Sequence, residues 1–282
     1  MFSKLLKHEW KANAGLLGIL SLCALGAGLL GIFVVRSMVY LSQLDVPDEQ
    51  TTAISLALTG LGSIMFFIGL GLLAYFLAVQ FINGFRFYKS RFTDEGYLTF
   101  TLPVNTHQIF LSSFLNILAW LAISALVVAF SAFLILFFGL WPLWNEMDAT
   151  LGEVGTIVND YLGDEPGYVA YQWLTAISWV VSAVYTVVMI MTSLTLGSIL
   201  AKKHKILAAV GMYYAINMVS GVVKAIVTVI PTMMMYSAVL FDGDYYSYSN
   251  LTIVVTMVMQ LALMVGGYFL STSLMKNKLN LP

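Results

Sequence analysis

Six apolar runs, at 14–36, 53–82, 109–144, 168–200, 206–230 and 251–275, divide this chain. Each reaches the ~20 residues that a helix needs to cross the hydrocarbon of a bilayer. The expected architecture is an all-α integral membrane protein with six transmembrane helices. They form one domain, 1–282, because no Pro/Gly/Ser-rich linker, acidic tail or low-complexity tract interrupts the chain. Composition agrees: 60% of residues are hydrophobic and only 10% charged, against roughly 25% charged in soluble domains.

Charge is sorted between the runs. Lys4, Lys7 and Lys11, then Arg86, Lys89 and Arg91, then Lys202, Lys203 and Lys205, then Lys276 and Lys278 fall in alternate segments. The other segments carry almost only acids: Asp45, Asp48 and Glu49, then Glu146, Asp148, Glu153, Asp160, Asp164 and Glu165, then Asp242 and Asp244. The positive-inside rule places both termini and the segments after the second and fourth spans in the cytoplasm, as in a multi-pass protein of the plasma (cytoplasmic) membrane. The net charge of -1 matters less than this separation, which turns basic loops toward anionic headgroups or an acidic cytosolic partner. Cys23, the single cysteine, lies in the first span, so it forms no intrachain disulfide and reads as a small packing residue.

Residues 2–12 put Phe2, Leu5, Leu6 and Trp10 on one helical face and Lys4, Lys7, His8 and Lys11 on the other. That is the pattern of an interfacial anchor lying on the inner leaflet. A cleavable signal peptide is the competing reading, but the apolar run exceeds a normal signal core and its removal leaves an odd number of spans. His8 and Glu9 have no nearby partner to complete a metal site and belong to the solvated face. Small residues four apart, Ala14 and Gly18, Ala24 and Gly28, Gly211 and Ala215, Gly221 and Ala225, Gly267 and Ser271, let helix backbones approach within or between chains.

Two bases stand apart from the sorted segments. Arg36 ends the first span, and Lys224 lies about 27 Å up the fifth, counting ~1.5 Å per residue from Ile206. Both are expected near the outer headgroups, snorkelling toward the acidic loops; deeper in the membrane either charge is a functional candidate. Asn116, Gln172, Asn217 and Gln260 are interhelical hydrogen-bonding groups or parts of a substrate path. Pro231 is expected to break the fifth span, leaving an interfacial or re-entrant element anchored by tyrosines. The outer loop 145–167 holds six acids and a turn at Gly163 to Gly167. It is either an electronegative vestibule or the ordinary result of holding bases inside. Asn250-Leu251-Thr252 matches a glycosylation acceptor, but its place at the mouth of a span reads as accidental.

The longest inner loop, Asn83 to Gln108, mixes bases, acids and aromatics. Thr93 followed by Asp94 and Glu95 is a helix start, with a hydroxyl to cap free amides and carboxylates to complement the dipole. Leu102-Pro103 ends that helix, because the residue before proline is pushed out of the helical region. Asn105 or Thr106 is placed to cap the third span. The loop thus presents Tyr97, Leu98 and Phe100 on a short lever that takes motion from a cytosolic protein, or on an amphipathic helix resting on lipid.

The run Phe87-Tyr88-Lys89, Phe92-Thr93-Asp94-Glu95-Gly96-Tyr97-Leu98-Thr99 and Thr101-Leu102-Pro103-Val104 resembles the cytoplasmic loop of ABC-2 type permeases of Gram-positive bacteria. Leu5-Leu6-Lys7-His8-Glu9-Trp10-Lys11 is similar to their amino ends, and the spans agree in number, order and orientation. The resemblance implies that the six spans form half of a membrane dimer with a second permease chain, identical or related. It implies that Thr93, Asp94, Glu95, Gly96, Tyr97, Leu98, Thr99, Leu102 and Pro103 form a coupling helix docking on separate ABC ATPase subunits, two per transporter. ATP and Mg are then bound by those subunits.

No cofactor is expected in the chain itself. It contains no G-x-x-x-x-G-K-[ST], and the cluster from Lys202 to Lys205 lacks the glycines that cradle phosphate. No H-E-x-x-H, paired-carboxylate or Ser-His-Asp arrangement supports chemistry on a substrate, so no enzymatic activity is expected, and His8, His107 and His204 read as interfacial. The partners expected are the lipid bilayer, the ATPase subunits and a second permease, with no nucleic acid. The expected function is a membrane-spanning permease subunit of an ATP-driven exporter. Its cargo is antimicrobial peptides or other amphipathic compounds, with the acidic outer loops leaning toward a cationic peptide. The alternatives are an ATP-independent secondary transporter using Lys224 or Arg36 as its coupling charge, and a membrane sensor.

Overall fold

The computed structural model describes residues 2–44, 47–93, 96, 105–143, 152–153, 155–156, 167–201, 204–240 and 245–277. Its long elements are six helices: α1 (Phe2–Ser42), α2 (Asp48–Phe92), α3 (Thr106–Leu134), α4 (Tyr168–Leu200), α5 (Lys205–Leu240) and α6 (Tyr245–Asn277). All six are long and apolar enough to cross a membrane. Large apolar side chains point away from the protein, with Phe33 78%, Trp179 76% and Met218 74% exposed. That surface is wrong for water and right for lipid, as expected of a multi-pass membrane protein.

The helices are longer than the apolar runs. α1 has 41 residues, about 60 Å of helix against ~30 Å of hydrocarbon. No break separates residues 2–12 from the span that follows; they are the opening turns of one rod. Phe2, Leu5 and Leu6 are half-buried there, and Lys4, Lys7, His8 and Trp10 are exposed. α2 likewise continues to Phe92, and Asn83–Phe92 is helix rather than loop. α3 loosens into a π turn at Ile135–Gly139 and a 3-10 turn at Trp141–Leu143.

Pro231 does not end the fifth span. α5 runs through it to Leu240, proline being better tolerated in apolar spanning helices than in soluble ones. Thr228 and Thr232, on either side, donate their hydroxyls to the carbonyls of Lys224 at 2.8 Å and Thr228 at 2.7 Å. Similar back-bonds from Ser112, Thr192 and Thr195 let buried hydroxyls sit in apolar surroundings without an orphaned donor.

The chain divides into two compact units, one of Leu6–Asn83 and Asn116–Gly155, the other of Met1–Leu5, Gly84–Leu115 and Thr156–Pro282. In the first, Leu17, Ala24, Leu72, Tyr75, Val79 and Trp120 form the core, and Trp10 stacks on Trp120 at 5.1 Å between centroids. The Ala24 and Gly28 pair lets α1 close on α3: a Cβ on Gly28 would stand 2.8 Å from Cβ of Ser131, and one on Gly31 2.7 Å from Cδ1 of Ile135. Gly18, Gly211 and Gly221 face open space instead, so their pairings serve no packing within the described residues. Cys23 is exposed rather than packed inside.

One polar contact in this unit is half complete. Asn13 Nδ2 donates to Asn83 Oδ1 at 3.0 Å, but Asn13 Oδ1 and Asn83 Nδ2 find no partner among the described residues. Removing one partner of a buried hydrogen bond costs about 1–3 kcal/mol, while replacing both by apolar groups is nearly neutral. Asn13→Leu is therefore expected to lower the melting temperature in detergent, and Asn13→Leu with Asn83→Leu to restore most of it. Additive losses would show that the amide pair is not a coupled unit.

In the second unit α4 packs on both α5 and α6, and α5 on α6. Gly267 accepts the side chain of Thr192, whose Oγ1 receives a hydrogen bond from Ser271 at 3.1 Å. The predicted pair Gly267 and Ser271 thus seats α6 against α4.

Candidate functional site

Two places in the second unit bring polar chemistry together. The first is the junction where α2 ends and α3 begins, which flanks the segment 93–105. Phe87, Phe92 and Phe110 form an edge-to-face cluster, with centroids 5.8 Å apart for Phe87 and Phe92 and 6.4 Å for Phe87 and Phe110. Phe110 in turn meets the edge of Tyr268 from α6 at 5.4 Å, and the Tyr268 hydroxyl lies 2.9 Å from His107 Nδ1. Offset and edge-to-face rings hold both position and angle, so this end of the bundle is well specified.

Arg91 is the unexpected member. Its place in a basic segment predicts a solvated cation, yet it is 2% exposed, and its Nη2 donates to Ser113 of α3 at 3.0 Å. From the start of α5, Lys205 Nζ donates to the carbonyl of Phe92 at 3.4 Å, a cation placed on the negative end of α2. The last turn of α2 is thus held by α3 through Arg91 and by α5 through Lys205. No periodicity in the sequence separates these two from the other inner bases; only the tertiary contact does.

Of the residues expected in a coupling helix, Thr93 and Gly96 are described, and Asp94, Glu95, Tyr97, Leu98, Thr99, Leu102 and Pro103 lie outside the described residues. The forward cap expected of Thr93 involves Asp94 and Glu95, which lie outside the described residues. The Thr93 hydroxyl donates back to the Lys89 carbonyl in the last turn of α2. The Thr93 carbonyl accepts the Gly96 N–H at 2.8 Å. Gly96 is buried, and a side chain there would collide with the Arg91 carbonyl, which fixes glycine at this turn. Asn105 takes the capping position of α3, its carbonyl accepting from Gln108 at 2.8 Å and from Ile109 at 3.2 Å.

The second place lies halfway along α4–α6. Lys224 Nζ sits 4.5 Å from the ring centroid of Tyr185, in cation–π geometry. The Tyr185 hydroxyl donates to Ser220 at 3.2 Å, and Ser182 exchanges hydrogen bonds with Gln260 at 3.0 and 3.2 Å. Lys224 lies farther from the end of its helix than the apolar run 206–230 implies. Because α5 extends to Leu240, about 24 Å of helix follows Lys224 and about 28 Å precedes it. Tyr185 and Gln260 are equally central in α4 and α6. A charged side chain so far from either end of an apolar helix is a functional candidate.

No protein-family model, curated protein or solved structure matches this chain.

The remaining predicted residues are placed less centrally. Arg36 is exposed near the end of α1. Trp10 is 39% exposed, its inner face on Trp120. Asn250 Nδ2, the atom a glycan would occupy, donates to the carbonyl of Gly167 at 3.1 Å and helps hold the left-handed turn (φ 83°) that opens α4. The acidic segment 145–167 falls mostly outside the described residues. Among the described residues no group of His, Cys, Asp and Glu gathers as a metal site would require.

Proposed function

We propose that the chain is the membrane-spanning permease subunit of an ATP-driven transporter of amphipathic compounds, with both termini and the segment 93–105 in the cytoplasm. The observation that carries this reading is the anchorage around that segment. Its two ends are gripped by buried aromatic contacts, by Arg91 on Ser113 and by Lys205 on the Phe92 carbonyl. A mere connection between spans needs no such grip; a handle that takes force from a soluble motor does. Closure of ATPase subunits on the handle would displace the ends of α2 and α3 together, and Lys205 would carry the displacement to α5. Packed helices respond by switching between discrete arrangements, which is what alternating access requires. The likeness of this segment and of residues 5–11 to ABC-2 permeases supports the same reading, as does the lack of a nucleotide-binding motif in the chain.

A second reading, a secondary transporter without ATP, is favoured by the mid-helix position of Lys224. Purification decides between them. The tagged chain in mild detergent is expected to bring along a soluble Walker-motif ATPase, and Glu95→Ala with Tyr97→Ala to release it. If no ATPase associates, and the chain alone in vesicles carries a flux driven by a pH gradient, the secondary transporter replaces the permease.

A further inference from the structure

We propose that Lys224, over the face of Tyr185, binds the oxyanion head, phosphate or carboxylate, of an amphipathic molecule midway along the α4–α6 bundle. As an assignment of cargo this rests on the permease reading above; as a binding site it does not.

The first ground is unanswered charge. Neither α4, α5 nor α6 contains an Asp or Glu anywhere in its length, and their other bases, Lys205 and Lys276, lie at helix ends. Asp242 and Asp244 come only after α5 has run its remaining length, about 24 Å beyond Lys224. A cation in lipid without a protein carboxylate is normally answered by backbone carbonyls, water or ligand. The Lys224 ammonium has three N–H donors and makes no hydrogen bond among the described residues; the Tyr185 ring attracts the charge but accepts none of them in the manner of an oxygen.

The second ground is the company it keeps. Ser220, one turn before Lys224 and 6% exposed, already bonds Tyr185, and the equally buried Gln260 pairs with Ser182. The Ser220 hydroxyl donates in turn to the Asn217 carbonyl at 3.0 Å, so this company is polar, uncharged and already bonded within the protein: it repels no anion, and it leaves the Lys224 ammonium as the group that would hold one.

The third ground is access. Lys224 is itself half-buried, and the neighbouring positions Val223 and Val227 are 42% and 44% exposed, so the approach is flanked by apolar side chains. A ligand arriving there needs an apolar body behind its anionic head. A free anion lacks one, and a cationic peptide would meet Lys224 as a like charge.

Test binding on the full chain purified in a neutral maltoside, with three probes: dodecyl phosphate, dodecanoate and dodecyltrimethylammonium. Wild type is expected to bind the two anionic probes saturably, one per chain, and the cationic probe at least about tenfold more weakly. Lys224→Gln should lose at least about tenfold toward dodecyl phosphate, and Lys224→Arg should retain it. Lys224→Glu should invert the preference toward dodecyltrimethylammonium, a gain that misfolding cannot produce. Unchanged dodecyl phosphate binding by Lys224→Gln, or equal binding of the cationic and anionic probes by wild type, overturns the site. Displacement of dodecyl phosphate by inorganic phosphate overturns the amphipathic class. Co-purification of the ATPase is scored separately on the same samples: its absence strikes the permease reading and leaves the binding result standing.

Discussion

Arg91→Ala is expected to leave an ATPase subunit attached while cutting transport by roughly 10- to 30-fold, the range given by a coupling loss near 2 kcal/mol. On the permease reading the two effects separate because Arg91 precedes the segment 93–105 and is not part of it. Its side chain is buried, and its guanidinium ties the last turn of α2 to Ser113 of α3. Alanine removes that tie, while Phe87, Phe92 and Phe110 continue to hold the helices together. Ser113 is not stranded, because its hydroxyl also reaches the Ile109 carbonyl. The segment can then be gripped, but its motion is taken up locally instead of moving α3. Arg91→Lys should recover only part of the loss, since an ammonium keeps the charge without the planar fork. The measurement pairs co-purified ATPase with transport in reconstituted vesicles. Parallel loss of both would make Arg91 part of the docking surface, and loss of neither would remove it from the lever.

What the sequence made legible follows from which forces act locally. Span number and the bounds of α4 come from hydropathy over ~20 residues, and Tyr168–Leu200 is where the apolar run stands. Helix ends elsewhere extend past their apolar runs, because continuing a helix satisfies the backbone as well in water as in lipid. Charge patterning therefore ends the apolar run without ending α1 at residue 36 or α2 at 82. Pro231 misleads for a related reason: the proline rule is calibrated in water, and apolar spanning helices tolerate proline more readily. That single difference moves Lys224 from a helix end to a helix centre. The candidate sites were legible as residue types but not as partnerships. Arg91 and Lys205 read like any inner bases, and Tyr185 and Gln260 like ordinary polar residues in spans, until folding sets Arg91 on Ser113, Lys205 on Phe92 and Lys224 on Tyr185.

Gly197→Leu is expected to be the most damaging single substitution in the second unit. Gly197 faces Ala209 where α4 and α5 meet, and a Cβ there would fall on the backbone N and Cα of Ala209, closer than side chains approach any atom. Backbone cannot rotate out of the way as a side chain would, so the two helices must separate. Overpacking of this kind costs about 3 kcal/mol or more, and the melting temperature in detergent should fall by roughly 6–12 °C, at ~2–4 °C per kcal/mol. Gly211→Leu is the control, because nothing lies within 4 Å of a Cβ at that position; its effect should stay within about 0.5 kcal/mol. Equal melting temperatures for the two variants would contradict the close approach. The consequence reaches beyond stability. Gly197 sits on the last turn of α4, its carbonyl accepting the Ala201 N–H at 3.1 Å, and the short connection that follows delivers Lys205 to the Phe92 carbonyl. Forcing α5 away from α4 withdraws Lys205 from the end of α2. Any Gly197→Leu protein that remains folded at low temperature should therefore also lose transport while its ATPase stays bound, like Arg91→Ala.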